Sequence, residues 1–285
     1  MTCCRPNPSC LNFCRLNGEL ISGQGVIRNS QNGWEYEVLR VLARGGMSMT
    51  YLVYNYQNNK LAVLKEIDAE LALKAKAREM FRREARILQS LQHRGIPEYY
   101  DFFDTQERYS LVMEMVHGKN LDQITAAGAS QALEWLLQTS DILDYLHQRN
   151  PPLIHRDIKP ANLILRYSNS KITLIDFGAV KEATAPPGTR IVTPGYGSPE
   201  QQKGSPCVQS DIYALGTTLI YLLTQQSPIK FYIPTQFKFA GLEAAGVPSA
   251  VIPAIESLTA FLPEDRPQTA AEASNLLKNT LKLLK

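Results

Sequence analysis

The hydrophobic periodicity of this chain predicts an α+β fold in two parts: a small, mainly antiparallel β portion with one long helix, then a larger, mainly helical portion. Three observations carry that prediction. Short apolar-rich runs bounded by turn residues fill residues 36–67, a charge-rich amphipathic segment occupies 71–91, and beyond Gly118 the apolar spacing is mostly helical.

Residues 1–33, rich in Cys, Asn, Gly and Pro, read as a leader and linker, with the folded body starting near Trp34. Tyr36 to Leu42, Thr50 to Tyr54 and Leu61 to Leu64, separated by Gly45-Gly46 and Asn58-Asn59, read as three consecutive antiparallel strands. Leu71 to Leu91 is expected to be one long helix, with Met80, Leu88 and Leu91 at helical spacing. Runs around Tyr99 to Phe103 and Tyr109 to Val116 complete a small sheet. Candidate helices then cover Ser130–Arg149, Asp211–Thr224, Pro248–Phe261 and Thr269–Leu284. The expected domains are 1–33, 34–117 and 118–285.

Composition narrows the function classes. With 285 residues, 44% of them hydrophobic, the chain has enough material for one large domain or two lobes. Lys and Arg number 30 against 27 Asp and Glu, without long charge runs, so no nucleic-acid or membrane surface is expected. The most apolar stretch, Ile212 to Leu223, is about half the roughly 20 residues a membrane helix needs and reads as a buried helix. Met1 to Leu20 lacks the apolar core of a secretion signal, so a cytoplasmic location is expected. Four of five cysteines fall in the first fourteen residues, marking an appendage rather than a disulfide framework.

The segment Ile154-His155-Arg156-Asp157-Ile158-Lys159-Pro160-Ala161-Asn162-Leu163 carries the strongest chemical signal. Asp176-Phe177-Gly178 begins nineteen residues after Asp157 and follows the apolar Ile172, Leu174 and Ile175. One loop thus offers an Asp, a Lys and an Asn, and the next a second Asp, enough to hold Mg2+ and a polyphosphate beside a base.

These segments resemble the catalytic and metal-binding loops of eukaryotic-like (Hanks-type) serine/threonine protein kinases, and the resemblance runs from about Tyr36 to the C-terminus. It implies a two-lobed protein kinase fold with ATP and Mg2+ in the cleft, and protein substrates. Asp157 would be the catalytic base, Lys159 would neutralise the moving phosphoryl group, and Asn162 and Asp176 would bind Mg2+. Val63-Leu64-Lys65 resembles the family's strand lysine, and Glu84 its helix glutamate. Periodicity supports that pair independently: Glu84 shares a face with Met80 and Leu88, where a buried carboxylate needs a partner, and Lys65 is the obvious one.

The glycine loop departs from the family pattern. Ala43, Arg44, Gly45, Gly46, Ser48 and Thr50 stand where G-x-G-x-x-G-x-V is usual, with Ala43 and Ser48 replacing the first and third Gly. Small side chains there still let backbone N–H groups approach phosphates, at the loss of positive φ. The alternative kept open is a weakly active or inactive pseudokinase acting as a nucleotide-binding scaffold. A small-molecule kinase of related fold is disfavoured by the segment from Thr193 to Glu200, which resembles a protein-substrate platform. Met113, Glu114 and Val116 resemble the hinge that meets adenine, and Ile164 is assigned to the same nucleotide site.

Ser198-Pro199-Glu200 resembles the end of an activation loop, in which Thr193 adjoins the acceptor. Thr189 would take an activating phosphate paired with Arg156. Arg266 resembles the family's partner for Glu200. Asp211 is either a helix N-cap or, by the resemblance, a brace behind the catalytic loop. The leader with Cys3, Cys4, Cys10 and Cys14 looks like the four-cysteine leader of some cyanobacterial kinases. A zinc site, a redox switch and an unstructured tail all remain open for it, because Asn17 stands where the last Cys of a zinc set would be expected.

Overall fold

The computed structural model describes residues 25–29, 31–45, 47–105, 108–125, 127–184 and 192–284. Cys3, Cys4, Cys10, Cys14, Gly46 and Thr189 lie outside the described residues. The chain forms two compact units, one running up to Gln92 together with Pro97–Met115, the other comprising His93–Ile96 and everything from Val116 onward.

The first unit is built on β1 (Val26–Arg28), β2 (Glu35–Arg44), β3 (Ser48–Asn55), β4 (Lys60–Ile67), β5 (Tyr99–Thr105) and β6 (Arg108–Glu114), with α1 (Ala69–Ala72) and α2 (Ala75–Ser90) inserted after β4. The strands form one antiparallel sheet in the order β1-β2-β3-β4-β6-β5. Period-two alternation sorts its side chains. Tyr51, Val53, Ala62, Leu64 and Val112 pack with Tyr36 and Phe103 in one apolar cluster, while Thr50, Val63, Lys65 and Met113 fall on the opposite face.

Two expectations change here. The sheet starts at Val26, 34 − 26 = 8 residues before Trp34, because β1 pairs with β2 and buries Ile27. The following turn is fastened by Asp101, whose Oδ2 accepts from Asn29 Nδ2 at 2.9 Å, Asn32 Nδ2 at 3.2 Å and the Tyr36 hydroxyl at 2.9 Å. A strand of three residues is too short to show a period. The single helix expected over 71–91 is two. Asp68 caps α1, Lys74 turns extended (φ −90°, ψ 117°), and Arg78 donates to the Ala72 carbonyl at 2.8 Å across the break.

The second unit contains β7 (Gly118–Asn120), α3 (Ala129–His147), β8 (Leu153–Ile154), β9 (Leu163–Arg166), β10 (Ile172–Leu174), β11 (Lys181–Glu182), α4 (Pro199–Gln202), α5 (Val208–Thr224), β12 (Tyr232–Ile233), β13 (Lys238–Phe239), α6 (Ile252–Leu258) and α7 (Ala270–Leu283). Helix α5 is its axis, buried continuously from Ser210 to Ile220, which is why its sequence is apolar on nearly every side. Thr269 caps α7 by accepting from Glu272 N at 3.1 Å. Among the described residues no helix is long and apolar enough to cross a membrane.

Strands β10, β9 and β7 form a small sheet, and β8 pairs with β11. The eight residues between β8 and β9 are thereby held at both ends. Gly118 is required at the start of β7, since a Cβ there would collide with the Leu165 carbonyl oxygen and lie 2.5 Å from Ile164 Cγ2. The β12–β13 hairpin occupies a stretch without readable periodicity.

Candidate active site

In the first unit, strand register brings the expected nucleotide-facing residues into one patch. Ala43 pairs with Thr50 and Thr50 with Lys65, so the three line up across β2, β3 and β4. Val63, two residues before Lys65 and on the same face, pairs with Met113. Lys65 Nζ lies 2.7 Å from Glu84 Oε1 with both side chains largely buried, the pairing that helical periodicity demanded of a core-facing carboxylate.

The turn between β2 and β3 closes through Gly45 N–H donating to the Ser48 carbonyl at 2.9 Å, with Ser48 buried. Neither Ala43 nor Ser48 adopts positive φ, so the two departures from glycine carry no backbone strain. Glu114, at the end of β6, pairs with Ala62 of β4, and its N–H donates to the Glu98 carbonyl at 2.8 Å.

The second unit gathers the polar loop residues around one carboxylate. Asn162 Nδ2 donates to the Asp157 carbonyl and to Asp157 Oδ2, both at 2.8 Å, and Lys159 Nζ lies 2.8 Å from Oδ2. The Thr193 hydroxyl donates to Asp157 Oδ1 at 2.6 Å and accepts from Lys159 Nζ at 3.1 Å. Ile164, on β9, pairs with Thr173 and Asn120, and Val116 is buried. Arg156 and Asp176 both hold left-handed backbone, at φ 70° and 65°, a conformation that non-glycine residues keep only where the surroundings impose it.

Those surroundings are specific. Asp211 accepts from the N–H groups of His155 and Arg156, each at 2.8 Å, and lies 2.9 Å from His147 Nε2. It is not the N-cap of α5, a position held by Cys207. Gln201 Nε2 donates to the Arg156 carbonyl at 2.7 Å, and Asn120 Nδ2 to that of Ala161. His155 is fully buried, edge-on to Phe177 with ring centroids 5.2 Å apart. Burial drives its imidazole toward the neutral form, and neither ring nitrogen has a hydrogen-bond partner.

Nearby, Arg266 donates to Glu200 through Nη1 at 2.8 Å and Nη2 at 3.0 Å, the distant pair that only resemblance suggested. Burial pushes the Glu200 carboxyl up, but hydrogen bonds from Arg266, Ser198 and Ser210 outweigh it and hold the group below its ordinary range.

Two oxygen donors suit a hard cation. Asn162 uses its amide nitrogen toward Asp157, leaving Oδ1 as a neutral oxygen ligand, and Asp176 presents an exposed carboxylate. Among the described residues no three His, Cys, Asp or Glu side chains form a metal cluster. Mg2+ needs no such cage, since it keeps waters and phosphate oxygens in its shell.

The family described as protein kinase domain matches residues 36–283. The chain belongs to that family. Serine/threonine-protein kinase D of Synechocystis sp. is 36% identical over 213 residues, 69% of this chain and 42% of that protein. Serine/threonine-protein kinase PrkC of Bacillus subtilis is 36% identical over 206 residues, covering 68% of this chain and 31% of its own length. The chain therefore spans less than half of these curated relatives. Among solved structures, the kinase domain of Mycobacterium tuberculosis PknI superposes with a TM-score of 0.71 at 25% identity, covering 91% of this chain and 99% of that one.

Within this kinase domain, each unit assembles its own share of the residues read from the sequence. Sequence reasoning missed Gln201, His147 and Asn120 as supports of the catalytic loop. Their side chains act on backbone carbonyls or on Asp211 across 41 to 64 residues, and no local pattern signals such contacts.

Proposed function

We propose that this kinase domain transfers the γ-phosphate of ATP to serine or threonine hydroxyls of proteins, itself included. The observation that carries the reading is the Thr193 hydroxyl held 2.6 Å from Asp157 Oδ1 and 3.1 Å from Lys159 Nζ: a carboxylate that already accepts a hydrogen bond from an aliphatic hydroxyl, beside an ammonium. The relatives' names, serine/threonine-protein kinase, point the same way.

When bound, MgATP would supply the phosphoryl group and the charge that balances it. Asp157 would orient the acceptor hydroxyl and take its proton as oxygen bonds to the γ-phosphorus and the bond to the bridging oxygen of ADP breaks. Lys159 would offset charge on the transferring group. Lys65, fixed by Glu84, would hold the α- and β-phosphates, and the backbone from Ala43 to Ser48 would cover them. Met113, Glu114, Val116, Val63 and Ile164 would hold adenine, with Asn162 and Asp176 as the Mg2+ ligands. The use of ATP and protein substrates is read with a cytoplasmic setting.

The test is transfer of labelled γ-phosphate, with Mg2+, to the chain itself and to a generic basic protein, comparing the parent with Asp157→Ala. A fall of roughly 10²–10⁴-fold is expected, as for loss of a general base. Equal labelling in both would end the enzyme assignment.

A further inference from the structure

In the second unit, an exposed aromatic patch plays no part in the chemistry above. Phe237 is 51% exposed and packs against Phe261, the rings tilted by 41° with centroids 4.2 Å apart, and Leu262, 45% exposed, follows directly. Lys203 places its ammonium 5.8 Å from the Phe261 centroid, and the exposed Lys238 adjoins Phe237.

Phe237 also holds φ at 52°, in the left-handed region where glycine is at ease and a bulky aromatic is an outlier. The tip of the β12–β13 hairpin thus presents a large apolar side chain to water from a backbone that disfavours it.

The turn that precedes the hairpin touches the acceptor platform. A Cβ on Gly195 would lie 3.2 Å from the Ile229 backbone nitrogen, so the segment after Thr193 touches the turn Pro228–Phe231. Ile229 is 56% exposed, and its turn leads straight into β12, where Tyr232 pairs with Phe239 of β13. A protein bound at Asp157 beside Thr193 is brought to the exposed Ile229, in the turn that leads into the hairpin carrying Phe237.

We propose that Phe237, Phe261 and Leu262, with Lys203 and Lys238, form a docking surface for protein substrates, taking a segment that pairs an aromatic or aliphatic side chain with a carboxylate. The rings supply desolvated contact of the kind that dominates interface energetics, and the two lysines select the acid. Glu264 and Asp265, exposed in the next turn after Leu262, disfavour a uniformly acidic partner. The proposal deepens the protein-kinase reading and rests on it for the word substrate.

The test is fluorescence anisotropy, without nucleotide, of the fluorescein-labelled peptide Gly-Ser-Gly-Phe-Asp-Leu-Gly-Ser and of a version with Lys in place of its Asp. The parent should bind the acidic peptide and not the basic one, and both Phe237→Gly and Lys203→Glu should weaken binding at least tenfold. Circular dichroism melting of Phe237→Gly should show an unchanged or higher midpoint, because glycine removes the backbone strain. Absent binding by the parent, or binding undiminished in Phe237→Gly, overturns the proposal. So does sedimentation showing a parent dimer that Phe237→Gly converts to monomer, since the patch would then serve self-association. Phosphorylation of a short threonine peptide lacking the docking segment should persist in Phe237→Gly. If the parent binds the acidic peptide yet phosphorylates nothing, the kinase reading fails and the anisotropy result separates the two.

Discussion

Replacing Glu200 by Gln removes one charge from a pair that the fold has taken out of water. The Arg266 side chain has no exposed surface and Glu200 keeps 15%. Besides its two bonds to Glu200, the guanidinium donates to the carbonyls of Ala260, Phe261 and Gln209 at 2.7, 2.8 and 3.0 Å and lies 5.0 Å from the Tyr213 ring centroid. Removing one partner of a buried pair costs about 3–5 kcal/mol, because the other charge stays buried and uncompensated. Gln keeps one acceptor oxygen and Arg266 keeps its three carbonyls, so the lower end, about 3 kcal/mol, is expected. At about 2–4 °C per kcal/mol for chains of this size, the melting midpoint should fall by roughly 6–12 °C.

Circular dichroism melts of the parent, Glu200→Gln, Arg266→Met and the double variant make the measurement a cycle. The double variant should lose less than the sum of the singles by about 1 kcal/mol or more, because nothing charged is then left buried. The pH dependence has a definite sign. The folded-state carboxyl titrates below its ordinary 4.5, so its contribution is complete above that pH and fades as pH falls through the lower folded value, where parent and Glu200→Gln curves should converge. A midpoint shift under 2 °C, or simple additivity in the cycle, would refute the argument that this pair is a buried, mutually dependent unit.

His155 is held neutral by burial, so the unfolded chain binds more protons below about pH 6.5. Between pH 7.5 and 5.5 the parent should lose stability that His155→Phe does not lose, as read by urea melts at both pH values; parallel pH profiles would rule this out. Gly118→Ala forces a methyl group against the Leu165 carbonyl and should cost about 1–3 kcal/mol in urea unfolding, with an unchanged midpoint arguing that β7 can lift away from β9 freely. Asp101→Ala leaves the buried Tyr36 hydroxyl and Asn29 amide without their acceptor and should cost about 1–3 kcal/mol, while Asp101→Asn, which keeps an acceptor oxygen, should cost less. Equal losses in those two variants would mean that packing rather than hydrogen bonding fastens the β1 turn.

Local patterns announced most elements. The alternation over Tyr36 to Leu64 marked β2, β3 and β4, and the all-round apolar run Ile212 to Leu223 marked α5 as buried. Elements of two or three residues escaped: β1 is held by its pairing with β2, and the β12–β13 hairpin by the pairing of Tyr232 with Phe239. The break at Lys74 was also silent, because Ala, Lys and Leu read as helix whether or not the chain turns.

The candidate site divides along the same line. Glu84 declared its need for a cation by sitting on the apolar face of its helix, and Asp157, Lys159, Asn162 and Asp176 were legible as a set because their chemistry lies within two short segments. Glu200 and Arg266, 66 residues apart, were matched only through resemblance, and the brace from Asp211 to the N–H groups of His155 and Arg156 also needed the folded chain to be seen as geometry. The sequence by itself determined which side chains are apolar, charged or nucleophilic, and at what local spacing. Tertiary structure decided which of them share a hydrogen bond, which are denied water, and which backbones, at Arg156, Asp176 and Phe237, are held where an isolated peptide would not stay. Periodicity reports the faces of single elements, whereas burial and pairing depend on which elements meet.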